Sequence, residues 1–148
     1  MRISARGRYA LAATVSMAAR HDTGENITVI SLSERLGISK IYLEQVFSLL
    51  KKAEIVISHK GAQGGYRLTR PPAEITALEV LSATDLSLFE EAGDTVADKV
   101  PALETALRQS VFHAVDAAVR STLNTLTLQA LYEEAKKNRK DQSYMFYI

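Results

Sequence analysis

The chain has 148 residues, of which 47% are hydrophobic and 24% charged, and its formal net charge is +1. This length can bury one substantial core with an appended element. The absence of cysteine excludes disulfides, thiolate chemistry and cysteine-held metal centres in this chain. No apolar run approaches the roughly 20 residues of a membrane-spanning helix. The opening MRISARGRYA carries no hydrophobic signal segment, so we expect a cytoplasmic protein.

The charges are unevenly distributed along the chain. Residues 1–70 contain 11 basic and 5 acidic side chains, whereas residues 71–148 contain 7 and 12. This asymmetry indicates an N-terminal surface that faces a polyanion. Alternatively, the imbalance between the two halves arises by chance among ordinary solvated surface charges.

The first third of the chain predicts three helices. Residues 4–20 carry an apolar stripe, with Arg6 and Arg8 in the first turn, and HDTGEN at 21–26 ends this helix. The predicted stripe consists of Tyr9, Ala12, Ala13, Met17 and Ala19. A short helix over residues 32–36 stops at Gly37, and Ser39 is placed to cap a longer helix that runs to about Lys52.

The longer helix has two contrasting faces. Apolar residues repeat at spacings of three and four, which predicts one buried face. They are Leu43, Val46, Phe47 and Leu50. The outward positions are Lys40, Ile41, Glu44, Gln45 and Ser48. A short helix, a tight turn and a longer helix with a polar outer face are typical of a helix-turn-helix, although other helical hairpins share this pattern.

Two short strands are predicted directly after the longer helix. EIVIS at 54–58 and YRLT at 66–69 are rich in β-branched or aromatic residues and bracket the glycine-rich HKGAQGG. Pro71 and Pro72 end the ribbon because neither can donate to a ladder. A helix-turn-helix followed at once by a ribbon predicts a winged helix.

The second half predicts further helices. Thr76 is placed to cap a short helix, residues 87–100 form a polar loop, and a long helix spans about 101–123, followed by a last helix over about 126–140. The apolar stripe of the long helix comprises Leu103, Leu107, Val111, Val115 and Val119, flanked by Ala114 and Ala118. Because the winged domain has little core to spare, we expect this stripe to pair two subunits. Packing on its own domain is the alternative.

The outward face of the longer helix has side chains suited to base recognition. The major groove of DNA admits one helix, where Gln45 suits adenine, Glu44 the cytosine amino group, and Lys40 guanine or phosphate. Further candidate contacts, mainly to phosphates, are Arg2, Arg6, Arg8, Ser39 and Tyr42. Each of these residues could instead be an ordinary solvated position.

The glycine-rich tip has three possible interpretations: a phosphate-binding loop, a wing that inserts into a DNA groove, or a simple hairpin turn. A strand rather than a helix follows the glycines, and no Lys-Ser/Thr pair occurs, which excludes the phosphate loop. The tip presents one cation and little bulk, which suits the minor groove or its phosphates, and glycine supplies positive φ. The tip candidates are Lys60, Gln63, Gly64 and Gly65.

No catalytic or metal site is predicted. His21, His59 and His113 lie far apart without a metalloprotease spacing, and no serine elbow or carboxylate pair stands out.

Four segments resemble the Rrf2 family of bacterial winged-helix regulators: MRISARGRYAL, YLEQVFSLLKKA, KGAQGGYRLTRPPAEIT and STLNTLTLQALYEEA. The resemblance implies a homodimer, joined through the long helix, that binds a partly palindromic operator. It places Tyr42, Glu44 and Gln45 on the recognition helix and Lys60, Gly64 and Gly65 in the wing.

Most cluster-sensing members of this family carry three cysteines between the short helix after the wing and the dimer helix, whereas this chain has none there. Thiolates bind the iron, so we expect no cofactor in the chain as written. Either it resembles the cysteine-free branch with the cysteine-metabolism repressor, or native cysteines near Ala92 and Ala106 have been replaced and an iron–sulfur cluster belongs there.

The ending SYMFYI is unusual, because exposed aromatic residues at a terminus are costly unless they dock. Some members of the family end similarly. A terminal isoleucine is also what serine acetyltransferase inserts into cysteine synthase. Tyr147 and Ile148 are therefore predicted to dock into cysteine synthase, or else to pack on the protein's own dimer.

The sequence thus predicts a mostly α fold with a small β-hairpin. Its parts are a winged helix-turn-helix domain at 1–82, a loop at 83–100, and a dimerisation helix, final helix and tail at 101–148. The predicted function is that of a homodimeric DNA-binding repressor of cysteine, sulfur or iron–sulfur cluster genes. A cluster-sensing regulator with replaced ligands, or a protein-interaction module on the same fold, remains the alternative.

Overall fold

The computed structural model describes the backbone of residues 2–146 and the side chains of residues 2–141. This part of the chain contains seven α-helices and one antiparallel two-stranded sheet. In chain order they are α1 (Ala5–Ala18), α2 (Val29–Leu36), α3 (Lys40–Lys52), β1 (Val56–His59), β2 (Gly65–Leu68), α4 (Ala77–Thr84), α5 (Pro101–Leu107), α6 (His113–Asn124) and α7 (Leu128–Phe146). The predicted mostly α fold with a small hairpin is confirmed.

Side-chain caps fix where the helix-turn-helix elements begin. Ser39 accepts a hydrogen bond from the Tyr42 N–H at 3.2 Å, so α3 begins at Lys40 as predicted. Thr28 accepts from the Ser31 N–H at 3.1 Å, so α2 begins at Val29, three residues before the predicted start. Between the two helices Gly37 has φ of +68°, a left-handed conformation that ends α2.

Helix α1 buries a face that differs from the predicted stripe. Ala13 and Met17 are buried as predicted, but Ala12 is exposed. The buried residues of α1 are Gly7, Ala10, Ala13, Thr14, Met17 and Ala18. Thr14 is accommodated because its hydroxyl donates to the Ala10 carbonyl at 2.8 Å. A helix this rich in alanine has little contrast between its faces, which is why the sequence pattern included Ala12 and missed Ala10, Thr14 and Ala18.

The core is built around α3. Its four predicted core residues, Leu43, Val46, Phe47 and Leu50, are all fully buried. They belong to one hydrophobic cluster that also contains Met17 of α1, Ile75 and Leu128. Burying one face of α3 in this way leaves the opposite face in solvent, which is the arrangement the helix-turn-helix prediction requires.

The two strands form the predicted hairpin with slightly shifted ends. Val56 pairs with Leu68 and His59 with Gly65. Strand β1 begins at Val56 rather than Glu54, because Glu54 has φ of +60° and lies in the turn after α3. Strand β2 is also tied to the segment before α2, since Tyr66 and Ile27 exchange two backbone hydrogen bonds of 2.8 Å.

The predicted long helix is a continuous helical run over residues 101–124 that contains a π-helical turn at Arg108–Phe112. In a regular α-helix, residues four apart drift around the axis by about 40° per step. The wider π turn offsets part of this drift, which keeps the four-residue stripe more nearly on one side. The sequence spacing gave no sign of this turn.

The start of α7 returns to the N-terminal core. Leu128 is 0% exposed, its N–H donates to the Ile75 carbonyl at 2.9 Å, and the Ala77 N–H donates to the Leu126 carbonyl at 2.7 Å. The division into 1–82, 83–100 and 101–148 stays a prediction, but the first turn of the last helix belongs to the core of the first part. No helix in the described part is long and apolar enough to cross a membrane.

Candidate nucleic-acid interface

The outward face of α3 is solvent-exposed, as predicted. The exposed side chains on it are Lys40, Ile41, Glu44, Gln45 and Ser48. Lys40 Nζ lies 3.8 Å from a Glu44 carboxylate oxygen, and both side chains are more than half exposed. An exposed pair of this kind contributes only a few tenths of a kcal/mol, about 0.3–0.5. Both charges are therefore free to exchange partners when a ligand arrives.

Arg6 lies beside this face. It lines one shallow hollow together with Ile41, Glu44, Gln45 and Ser48. Arg2 and Arg8 are exposed as well, and the N-terminus of α1 adds the partial positive charge of a helix end. The structure therefore brings Arg6 and the predicted base-reading residues together on one surface.

A buried carboxylate fixes the start of α1, and the sequence analysis missed it. Asp85, only 1% exposed, accepts the Ser4 N–H at 2.7 Å and the Ser87 hydroxyl at 2.9 Å. Burial alone would raise the pKa of Asp85, but hydrogen bonds from Ser4, Ser87 and Leu88 outweigh it, so the pKa lies below its ordinary value of 3.8. Asp85 therefore stays ionised at neutral pH and anchors the arginine-bearing helix.

Gly7 allows this anchor to form. A Cβ built on Gly7 would lie 2.9 Å from a methyl carbon of Leu81 and 3.1 Å from atoms of Asp85. A larger residue at this position would force Leu81 or Asp85 to shift, so glycine favours the close approach of α1 to the end of α4.

Tyr42 is less available than the other candidates. It is half-buried, packs against the hydrophobic cluster and meets the ring of Tyr9 edge to face, with centroids 4.9 Å apart and planes at 80°. Its ring thus braces α3 against α1. Ser39 is exposed, and its hydroxyl oxygen already accepts the hydrogen bond that caps α3.

Two of the wing glycines are needed for space, and one of them, Gly65, for its backbone conformation as well. A Cβ on Gly64 would lie 2.7 Å from the His59 carbonyl oxygen, and one on Gly65, where φ is +141°, would lie 2.7 Å from the Ile27 carbonyl oxygen. Asn26 secures the tip, since its side-chain amide donates to the Gln63 carbonyl at 2.7 Å. Lys60 and the Gln63 side chain remain exposed.

The loop before the long helix is fastened by a second buried carboxylate. Glu104, 5% exposed, accepts the N–H groups of Thr95 and Val96, the latter at 2.7 Å. Arg108 Nε lies 3.2 Å from Glu104, and its Nη2 lies 2.7 Å from Asp94. These contacts hold the loop against the helix.

The predicted dimer stripe is exposed in the single chain. Leu103 and Val111 are each 47% exposed and Val115 is 56% exposed. Leu107 and Val119 are half-buried, and Ala114 and Ala118 are exposed. An apolar hollow beside the stripe is lined by Ile3, Leu88, Ala118, Val119, Thr122 and Leu123. The predicted docking residues Tyr147 and Ile148 lie outside the described residues.

The sequence matches known transcriptional regulators. The model of the Rrf2 family, described as iron-dependent transcriptional regulators, matches residues 3–134. The HTH-type transcriptional regulator IscR of Photobacterium profundum is 34% identical over 134 residues, which cover 90% of this chain and 77% of that protein. Other regulators named IscR align over 88 residues, about half of their length.

Two solved structures have the same fold. CymR, the global cysteine regulator of B. subtilis, matches with a TM-score of 0.73 and 29% identity, covering 90% of this chain and 98% of that chain. IscR of T. potens matches with a TM-score of 0.74 and 28% identity, covering 99% of this chain and 97% of that chain. The predicted winged-helix fold is confirmed, and the relatives are transcriptional regulators rather than enzymes.

Proposed function

Because the chain belongs to the Rrf2 family of transcriptional regulators, we propose that it binds double-stranded operator DNA as a homodimer and represses transcription. The observation that carries this proposal is the surface on which Arg6 lies beside the outward face of α3. Gln45 and Glu44 of that face are suited to base edges, and Arg6 to the phosphates that fix register. Because its ligand is chromosomal DNA, the protein acts in the cytoplasm.

The exposed stripe of the long helix supports the homodimer. Its most exposed valine, Val115, is 56% exposed in the single chain, and a second copy would cover this face through the same face of its own helix. Two copies related by a two-fold axis would present two α3 helices to half-sites about 34–36 Å apart. The operator is therefore expected to be partly palindromic.

The residues present do not fit an iron–sulfur cluster. Thiolates hold the iron in such clusters, and this chain has no cysteine. Among the described residues, no three His, Asp or Glu side chains are grouped so that they could hold a metal ion. Glu104 and Arg108 fasten the loop in which the family resemblance would place the cluster-binding cysteines. Because no thiolate is available, we propose that this protein regulates transcription without a cluster.

The regulated genes are proposed to be those of cysteine, sulfur or iron–sulfur cluster metabolism, in line with the cysteine regulator and the IscR proteins it is similar to. Cysteine synthase is the proposed protein partner, with Tyr147 and Ile148 as the docking residues. Calorimetry of the full chain and of a chain lacking residues 144–148 against the synthase tests this. Equal affinities would refute docking, and loss of dimer stability in the shortened chain would point to packing on the dimer.

Selection of bound DNA from a random duplex pool tests the function. We expect one partly palindromic sequence to be enriched, with an affinity that falls by orders of magnitude between about 50 and 200 mM salt. A protein-interaction module on the same fold would enrich no sequence, and its mainly apolar contacts would barely respond to salt.

A further inference from the structure

Ile41 is the most exposed large apolar side chain in the described part of the molecule, at 71%. Single exposed apolar residues are common on protein surfaces and need no explanation by themselves. The position of Ile41 is what distinguishes it, because it lies in the first turn of α3, directly after the capping residue Ser39 and Lys40.

Ile41 shares a face with the residues proposed to read DNA. Residues 41, 44, 45 and 48 follow one another at helical spacings and therefore lie on one side of α3. All four line the same shallow hollow together with Arg6. The fully buried Leu43 and Phe47 lie on the opposite side, so Ile41 takes no part in the core.

The N-terminal residues of a recognition helix are the ones that contact base edges in the major groove. A branched hydrocarbon neither donates nor accepts a hydrogen bond. Among the groups that base pairs present in that groove, only the 5-methyl of thymine offers it an apolar partner. Opposite any other base edge, isoleucine would leave a donor or an acceptor without a partner.

We propose that Ile41 is a specificity-determining residue that selects thymine in each half-site by packing against its 5-methyl group. This inference rests on the proposed DNA-binding function and adds to it one base preference and the residue responsible. Glu44 and Gln45 on the next turn read neighbouring bases by hydrogen bonds, whereas Ile41 reads one base by shape and apolar contact.

Deoxyuridine substitution tests the proposal with the full-length wild-type protein. Deoxyuridine lacks only the methyl group and keeps the hydrogen-bonding edge of thymine. In the operator obtained by selection, each thymine is replaced in turn, symmetrically in both half-sites, and the dissociation constant is measured at fixed salt. We expect one position at which affinity falls by about fourfold per half-site, the factor that corresponds to one buried methyl group.

The same scan with two variants assigns the effect to a residue. Ile41→Ala should lose the penalty for deoxyuridine at that position. Ile57→Ala is the matched control, because it removes an exposed isoleucine from strand β1, outside the reading helix, and should keep the penalty.

If deoxyuridine lowers the affinity of the wild-type protein at no position, the inference is wrong but the proposed function stands. The same holds if the loss of affinity persists in Ile41→Ala. Selection that enriches no sequence overturns the proposed function, and the inference with it.

Discussion

Replacing Asp85 with asparagine tests how the arginine-bearing start of α1 is held in place. Asp85 is 1% exposed, and its carboxylate accepts the Ser4 N–H at 2.7 Å. A hydrogen bond to an ionised group stabilises a protein by about 1.5–3 kcal/mol, and asparagine preserves the shape but not the charge. We therefore expect Asp85→Asn to lower the free energy of unfolding at pH 7 by about 2 kcal/mol.

The effect should depend on pH in a defined direction. The pKa of folded Asp85 lies below its ordinary value of 3.8, so the carboxylate stabilises the fold fully above that value. Its contribution is lost as pH falls through the lower folded pKa. The difference in stability between wild type and variant should therefore be constant near neutral pH and shrink below about pH 4.

Urea unfolding followed by circular dichroism, at one protomer concentration and at several pH values, measures this difference. Asp22→Asn, at an exposed aspartate after α1, is the control and should leave stability within about 0.5 kcal/mol of wild type. A difference for Asp85→Asn that is as large at pH 3 as at pH 7 would refute the assignment of a stabilising carboxylate.

The remaining predictions concern DNA binding, dimerisation and the loop. Gln45→Ala should cost about 1–3 kcal/mol and relax the preference at one base pair, whereas Arg8→Ala should weaken all sequences alike and reduce the salt slope by about 1. Identical behaviour of the two in a binding titration would contradict these roles. Val115→Asp should dissociate the dimer in analytical ultracentrifugation, because it places a charge in an apolar contact. Glu104→Gln should speed amide exchange at Thr95 and Val96, since their acceptor loses its charge, and unchanged protection would count against the anchor.

The sequence was most informative where burial and periodicity agree. Leu43, Val46, Phe47 and Leu50 repeat at helical spacing and are all fully buried, so the pattern alone located both the core face and the solvent-exposed face of α3. Cap residues marked the start of α3 and α4 equally well, since Ser39 and Thr76 both accept the predicted backbone hydrogen bonds.

The contacts that position the candidate site could not be predicted from local sequence patterns. Ser4 and Asp85 are 81 residues apart, and no local pattern connects a serine at one helix start with an aspartate beyond another helix. The space that Gly7 provides became visible only when Leu81 lay beside it. No sequence pattern distinguishes Glu104 from an ordinary helix-surface glutamate, because its partners are backbone N–H groups of a loop.

The start of the last helix explains how pairing of two copies through the long helix would set the distance between their α3 helices. The helical run over residues 101–124 ends next to Leu126, whose carbonyl accepts the Ala77 N–H, and Leu128 then enters the core that α3 packs on. The long helix is thus joined to the winged core within a few residues of its end, with no flexible linker between them. If two such helices pair, the separation and tilt of the two α3 helices follow from the geometry of that pairing. In such a dimer, a substitution in the stripe should change operator affinity through the half-site spacing rather than through a contact of its own with a base.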